Sequence, residues 1–188
     1  MLNLYKIDMK YVRNLMNIDH KNILSVSSQH HKNNRLFVGI IVMLGSHKYC
    51  IPLSSVEGKS RFETMAENMT MRKIKDSDGN VIGILNINNM IPVRDEYISK
   101  VDVYALPNKT DSEKKYRKKC IDEYEWLNND NNEKEIRRLS EILYTKYVSG
   151  EQFKKRGICA NFPALEKECD KAKDTKPKSG KKNTSKKK

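Results

Sequence analysis

Two neighbouring hydroxyls, Ser54 and Ser55, end an extended segment that begins at His47. An apolar run, Leu36–Leu44, precedes this segment, and Arg35 stands directly before the run. A short Gly-Ser turn separates the two stretches, so the pattern predicts an antiparallel hairpin with the arginine and the hydroxyls at its open end. Hydroxyls donate to the non-bridging oxygens of a phosphate, and a guanidinium binds phosphate through two N–H groups. The group therefore suits a phosphodiester.

Proton transfer at such a site needs other residues, because a guanidinium does not give up its proton. His31 and His47 have the side-chain type whose ordinary pKa, about 6.5, suits proton transfer near neutrality. Lys59 and Arg61 follow the hydroxyls and add positive charge. RNA carries its own nucleophile, the 2′-hydroxyl, so a cationic group that stabilises the phosphorane could cleave RNA without a metal ion.

Each of these residues also has a structural interpretation. Arg35 could be a charge that flanks a hydrophobic strand, and the serine pair could be a plain turn. His31 lies in a polar stretch where it could be solvated. Tyr11, on a predicted helix, could be a core residue or a stacking platform for a base. Together with Lys48 and Arg61 it is a predicted RNA contact.

Length and charge limit the possible classes. With 188 residues and no internal spacer, the chain is expected to be one domain over residues 1–170. The net charge of +13 indicates an anionic partner, nucleic acid before membrane surface. Nine lysines against one aspartate in residues 171–188 give this tail +8 and leave +5 for the rest. The tail cannot bury apolar area and is predicted to be disordered.

Several function classes have no support in the sequence. The four cysteines show no C-x-x-C pairing, which argues against zinc and indicates reduced, buried thiols of a cytoplasmic protein. No apolar run reaches the roughly 18 residues of a membrane span, and no signal peptide is visible. Phosphate-loop, serine-hydrolase, zinc-protease and dinucleotide motifs are absent, and no cofactor is expected.

The order of predicted elements is strands first and helices later, which indicates an α+β fold. Pro52 cannot donate to a sheet, so the second hairpin strand is expected to end or lie at an edge there. Asp111 or Ser112 is expected to cap the first long helix. Strands are predicted over residues 2–7, 36–44, 47–53, 69–75, 81–87, 90–93 and 98–104, and helices over 8–18, 111–127, 132–148 and a short stretch after 161.

Three combined motifs and two shorter segments resemble the ToxN/AbiQ family, the toxins of type III toxin–antitoxin systems, with the CptN branch nearest. They are Arg35–Ile40, His47–Ser55, Gly83–Pro92, Leu4–Ile7 and Cys159–Phe162. The resemblance extends over residues 2–170. It implies a strongly twisted antiparallel sheet with a small barrel-like core, wrapped by about four helices.

The same resemblance implies a metal-independent endoribonuclease that cleaves A-rich single-stranded RNA and leaves a 2′,3′-cyclic phosphate. Its implied partners are cellular mRNA substrates and an antitoxin RNA pseudoknot, which the toxin cuts from a repeated precursor. Toxin and RNA are expected to close into a ring of alternating copies, and several family members abort phage infection.

Carried over to this sequence, the resemblance implies that Arg35 is the catalytic cation, where the family usually has lysine. The family's hydroxyl pair falls on Ser54 and Ser55, and a following lysine is matched, at a different spacing, by Lys59. His31 stands where the family can carry a tyrosine and could supply acid–base function. The alternatives are a non-catalytic basic RNA-binding protein and a partner-binding module whose lysine tail contacts anything acidic.

Overall fold

A computed structural model describes residues 1–23, 38–56, 64–150 and 157–171. In these ranges seven strands form one antiparallel sheet in the order β4-β5-β3-β2-β1-β7, with β6 paired to β3 beside this path. The sheet is twisted but not closed, so the predicted barrel-like core is an open sheet instead. The strands are β1 Leu4–Ile7, β2 Val38–Leu44, β3 His47–Ser55, β4 Met71–Lys75, β5 Val81–Asn86, β6 Ile91–Val93 and β7 Ile98–Lys100.

Four α-helices accompany the sheet in the described part of the chain, and together with it they confirm the predicted α+β class. Two 3₁₀ turns, Ile87–Asn89 and Asp95–Tyr97, flank β6. The second helix packs against β4 and β5, the third against β2, and the fourth against β6. The helices are α1 Met9–Met16, α2 Asp111–Leu127, α3 Asp130–Ser149 and α4 Phe162–Lys171.

Strand β3 is central, and it continues through Pro52 to Ser55. The prediction that the strand ends or lies at an edge at Pro52 is therefore wrong. On one side β3 pairs with β2; on the other it pairs with β6 up to Cys50 and with β5 from Leu53. The Pro52 carbonyl lies 3.5 Å from Nδ2 of Asn86, on this second side. A proline is tolerated here because its missing N–H would fall in the gap between the two partner strands.

The N-terminal cap of α2 is Thr110, not the predicted Asp111 or Ser112. Its Oγ1 accepts a hydrogen bond from the Glu113 amide at 3.2 Å, and the Glu113 carboxylate accepts one from the Thr110 amide at 2.9 Å. This reciprocal pair is a capping box, and it makes Asp111 the first helical residue, one residue earlier than a cap at Asp111 would. The predicted bounds, 111–127, are those of α2.

The core is formed by the buried faces of the sheet and helices. The predicted inner face of α3, Ile136, Leu139, Leu143 and Tyr147, is buried as expected. Phe162 at the start of α4 is fully buried and contacts three tyrosine rings, from β3 and α3. All four cysteines are free, and they are buried, as predicted.

Some predicted boundaries differ from those observed. The strand predicted over 98–104 stops at Lys100, and a bend with an Asp102 turn follows. Helix α3 begins two residues before the predicted start, because Asn129 caps it through the Asn131 amide. Of the predicted lysine tail, residues 171–188, Lys171 is the last residue of α4, and residues 172–188 lie outside the described residues. None of the helices in the described ranges is long and apolar enough to cross a membrane.

We predict that Thr110→Ala lowers the free energy of unfolding by about 1 kcal/mol, because the amide of Glu113 loses its acceptor. Urea unfolding followed by circular dichroism measures this change. Ser112→Ala is the matched control, since Ser112 lies two residues after Thr110 and its side chain is exposed. Equal destabilisation by the two variants would contradict the assignment of the cap.

Candidate functional site

The two candidate hydroxyls lie in the paired part of β3, at its C-terminal end. Ser54 lies opposite Ile84 and Ser55 opposite Gly83 on β5. Successive side chains of a strand point to opposite faces, so the two hydroxyls leave the sheet in opposite directions. Both side chains are half-buried. A single phosphate can therefore reach both only at the end of the strand, not on either face of the sheet.

Asn86, at the end of β5, fixes the Ser54 hydroxyl. Its Nδ2 donates to Ser54 Oγ at 3.0 Å, and the carbonyl oxygens of Pro52 and Ile84 lie 3.5 Å from the same nitrogen. Sequence reasoning gave Asn86 no role, although it ends the Gly-Ile-Leu-Asn motif of the family resemblance. The place of Asn86 in that motif is the sequence signal that could have identified it. The pairing of β3 with β5 is what brings Asn86 to Ser54.

Strand β2 lies beside this strand end. Gly39 lies opposite Pro52, and the described part of β2 begins at Val38. Arg35 is three residues before Val38, so the chain can separate the two by at most about 11 Å. Arg35, His31, Lys59 and Arg61 lie outside the described residues, and their assignments remain predictions.

The other end of β3 is distant from the hydroxyls. Ser55 is eight positions after His47, a span of about 26 Å in an extended strand. Lys48, a predicted RNA contact, lies at this distant end, where its Nζ contacts the carboxylate of Asp95. The structure therefore does not bring His47 or Lys48 together with Ser54 and Ser55.

His47 belongs to a polar cluster that joins β3 to α4. Its Nε2 lies 3.3 Å from Asp170 Oδ2 and its Nδ1 lies 3.6 Å from Glu166 Oε1. Tyr49 and Tyr144 both donate to Glu166 Oε1, at 2.7 and 2.8 Å. Burial and this hydrogen bond raise the pKa of Tyr144 to about 12. The cluster thus holds α4 on the sheet and is occupied by its own partners.

Of the two interpretations of Tyr11, core residue or stacking platform, the structure supports the first. Its ring is 5% exposed and stacks on Tyr97 with the ring centroids 4.2 Å apart. Its hydroxyl donates to the Pro92 carbonyl at 2.8 Å. A base would have to displace Tyr97 to stack on the Tyr11 ring. The structure therefore contradicts the prediction that Tyr11 contacts RNA.

A surface hollow of about 270 Å³ lies between β4 and the α2–α3 pair. The charged side chains that line this hollow are only partly buried. Arg138 and Arg72 both bind the Glu135 carboxylate, and these ion pairs lower its pKa to about 2. Three cations and two carboxylates nearly balance in its lining. It is lined by Glu67, Arg72, Lys73, Lys75, Trp126, Asn132, Glu135 and Ile136.

Among the described residues, no group of three or more histidines, cysteines, aspartates or glutamates is arranged so that it could hold a metal ion. The described part of the strand end offers the hydroxyls of Ser54 and Ser55 and the amide of Asn86.

Comparison with known proteins gives an independent result. A family model described as "Toxin ToxN, type III toxin-antitoxin system" matches residues 3–170. Endoribonuclease ToxN of Bacillus thuringiensis subsp. kurstaki is 26% identical over 174 residues, covering 90% of this chain and 84% of that protein. Endoribonuclease ToxN of Pectobacterium atrosepticum is 25% identical over 167 residues, covering 88% of this chain and 90% of that protein.

Solved structures share the fold. One comes from work on bacterial type III toxin–antitoxin systems with selective toxin inhibition by a non-coding RNA pseudoknot. It superposes with a TM-score of 0.73 at 26% identity, over 93% of this chain and 99% of that one. AbiQ, a lactococcal anti-phage endoribonuclease of a type III system, superposes with a TM-score of 0.72 at 19% identity, over 93% and 99% of the two chains. At that identity AbiQ supports the fold alone.

We predict that Ser54 and Asn86 are energetically coupled in the folded protein. A double-mutant cycle of Ser54→Ala and Asn86→Ala should give a coupling of about 1 kcal/mol in urea unfolding, the usual net value of one hydrogen bond. Ser55→Ala with Asn86→Ala is the control cycle and should give no coupling, because Ser55 leaves the other face of β3. Equal coupling in the two cycles would be inconsistent with the alternation of these side chains.

Proposed function

Because the chain belongs to the ToxN family of toxins of type III toxin–antitoxin systems, we propose that it is an endoribonuclease toxin. The observation that carries this proposal is the family match over residues 3–170, together with two relatives that are both endoribonucleases. The match includes the whole described sheet and the strand end with its hydroxyls. We place the toxin in the cytoplasm, where its RNA substrates are.

The scissile phosphate, in this proposal, lies across the C-terminal end of β3. Ser54 and Ser55 approach it from the two faces of the strand, and Arg35 neutralises charge from the β2 side. Support comes from the reach of the chain: Arg35 is three residues from Val38, which enters the sheet beside this strand end. Hydroxyl and guanidinium donors aimed at developing negative charge supply a large share of catalysis in such sites.

The reaction we propose uses the ribose as nucleophile and needs no metal ion. The 2′-oxygen attacks the adjacent phosphorus, the P–O5′ bond breaks, and a 2′,3′-cyclic phosphate and a 5′-hydroxyl result. One proton leaves the 2′-hydroxyl and one is delivered to the 5′-oxygen. Arg35 cannot transfer a proton, so we assign the proton steps to His31 and Lys59.

The proposed partners are RNA molecules of two kinds. A-rich single-stranded mRNA is the substrate, with Lys48 and Arg61 as contacts away from the cleaved bond. The inhibitor is an RNA pseudoknot that the toxin processes from a repeated precursor, in a ring of alternating protein and RNA copies, with defence against phage as the outcome. The related structure with an inhibitory RNA pseudoknot supports this choice of antitoxin.

We predict that Arg35→Ala abolishes growth arrest on induced expression and lowers the RNA cleavage rate about 10²- to 10³-fold, the usual effect of removing one donor to a developing charge. The melting temperature should stay unchanged. Arg137→Ala is the matched control, because Arg137 lies on α3, half-exposed, and bonds Glu133. Full toxicity of the Arg35 variant would remove Arg35 from the site.

We also predict that purified toxin cleaves A-rich RNA in the presence of EDTA. A substrate with a single 2′-deoxy sugar before the cleaved bond should resist, because its nucleophile is missing. Gel electrophoresis of end-labelled RNA measures both. Loss of cleavage on chelation would disprove the metal-free mechanism, and cleavage of the deoxy substrate would disprove the internal nucleophile. A non-catalytic RNA binder would cleave neither RNA and would not arrest growth.

A further inference from the structure

The side chain of Asn86 lies on the same face of the sheet as Ser54. Ser54 is opposite Ile84 on β5, and Asn86 follows Ile84 by two residues, so the alternation of a strand brings both side chains to one face. The backbone of Asn86 lies opposite Met71 of β4, and the two chain neighbours of Asn86 are fully buried. Asn86 therefore has a fixed place beside the end of β3.

Three oxygen atoms surround one end of the Asn86 amide and fix its orientation. Nδ2 lies 3.0 Å from Ser54 Oγ, and it lies 3.5 Å from the carbonyl oxygens of Pro52 and Ile84. Backbone carbonyl oxygens only accept hydrogen bonds, so the group that faces them has to be the NH₂ group of the amide. An amide NH₂ group only donates. The hydrogen bond between the two side chains therefore runs from Asn86 to Ser54, and Ser54 Oγ is its acceptor.

This direction determines what the Ser54 hydroxyl offers at the strand end. A hydroxyl has one proton and two acceptor sites, and the bond from Asn86 uses an acceptor site and not the proton. Hydrogen bonds that follow one another in the same direction polarise each other, so the amide makes the Ser54 hydroxyl a stronger donor. A hydroxyl that donates to an anion gains more than one that donates to a neutral oxygen. The pair is therefore suited to donate towards a phosphate.

We propose that Asn86 is a positioning residue for RNA cleavage: it holds Ser54 Oγ and directs the hydroxyl proton to a non-bridging oxygen of the scissile phosphate. This inference rests on the proposed function, in which Ser54 contacts that phosphate. Negative charge on the non-bridging oxygens grows as the phosphorane forms, so the hydrogen bond from Ser54 is strongest in the transition state. Asn86 acts through Ser54 alone, and no covalent bond forms or breaks at either side chain.

The hydrogen bond itself is tested without RNA. The side-chain amide protons of Asn86 are followed by ¹⁵N NMR on the full chain. In Ser54→Ala these resonances should shift and exchange faster with water, because the NH₂ group loses its nearest acceptor. Ser55→Ala is the matched control and should leave them unchanged, since Ser55 lies on the other face of β3. Unmoved resonances in Ser54→Ala overturn the proposed bond.

The role in the reaction is tested by a double-mutant cycle in kcat and KM. Asn86→Ala should lower kcat about tenfold with KM unchanged, the usual effect of one hydrogen bond to a charged group. Ser54→Ala should lower kcat about 10²-fold, because it removes the donor itself. The double variant should equal Ser54→Ala, because Asn86 acts only through Ser54. A further tenfold loss in the double variant indicates a merely structural role and overturns the proposal, as does an unchanged kcat in Asn86→Ala.

The direction of the bond is tested by a variant of the same size. The neutral acid in Asn86→Asp donates as the amide does, whereas the ionised carboxylate only accepts and takes the Ser54 proton. The kcat of Asn86→Asp, divided by that of Asn86→Ala, should therefore fall as the pH is raised. A constant ratio overturns the proposal. Asn88→Ala is the matched control and should keep the wild-type kcat, because the Asn88 amide donates to the Ile158 carbonyl at 2.7 Å and not to a serine.

The outcomes separate this inference from the proposed function. Circular dichroism melting shows whether each variant is folded, and Asn86→Asp decides the role of residue 86 should Asn86→Ala not fold. An active wild type whose Ser54→Ala variant keeps full kcat overturns the role of Asn86 and leaves the nuclease intact. A wild type that cleaves no RNA overturns the proposed function, whereas the NMR result still decides the hydrogen bond.

Discussion

The change of partner along β3 is the constraint on which this molecule depends. One strand pairs with β6 at its beginning and with β5 at its end, and β2 covers its other side. Pro52 stands where β3 changes partner from β6 to β5. A proline is tolerated at this position because neither partner strand would accept a hydrogen bond from its missing N–H. The pairing with β5 continues β3 to Ser55, so that both hydroxyls stand at the end of a paired strand. A strand that stopped at Pro52 would leave both hydroxyls in a loop.

Alternation along β3 gives its two terminal hydroxyls different surroundings. Ser54 shares a face with Asn86, an uncharged donor that fixes its oxygen. Ser55 shares the other face with a glycine, over which the Glu123 carboxyl group is buried. The two serines are alike in sequence, but the Asn86 amide holds the Ser54 hydroxyl, whereas Ser55 lies opposite a glycine.

The sequence predicts the regular elements well because their signals are local. Apolar periodicity gives the inner face of α3, and the Asp-Gly turn separates β4 from β5, as predicted. The errors arise where the deciding partner is distant in sequence. Pro52 is accommodated by strands that pair with β3 from far along the chain, and Tyr11 is covered by Tyr97. For Asn86 the sequence offers only its place in the Gly-Ile-Leu-Asn motif, since the pairing of β3 with β5 is what brings it to Ser54.

The identity of residue 35 constrains how the work of catalysis is divided. A lysine at that position could in principle both stabilise charge and supply a proton, whereas an arginine can only do the first. In the proposed site Arg35 only stabilises charge, so every proton that moves must come from another group. The described residues at the strand end offer hydroxyls and an amide, and His47, the histidine of β3, is held at the far end by Glu166 and Asp170. In the proposed mechanism proton transfer therefore falls to His31 and Lys59, while the hydroxyls at the strand end bind the phosphate.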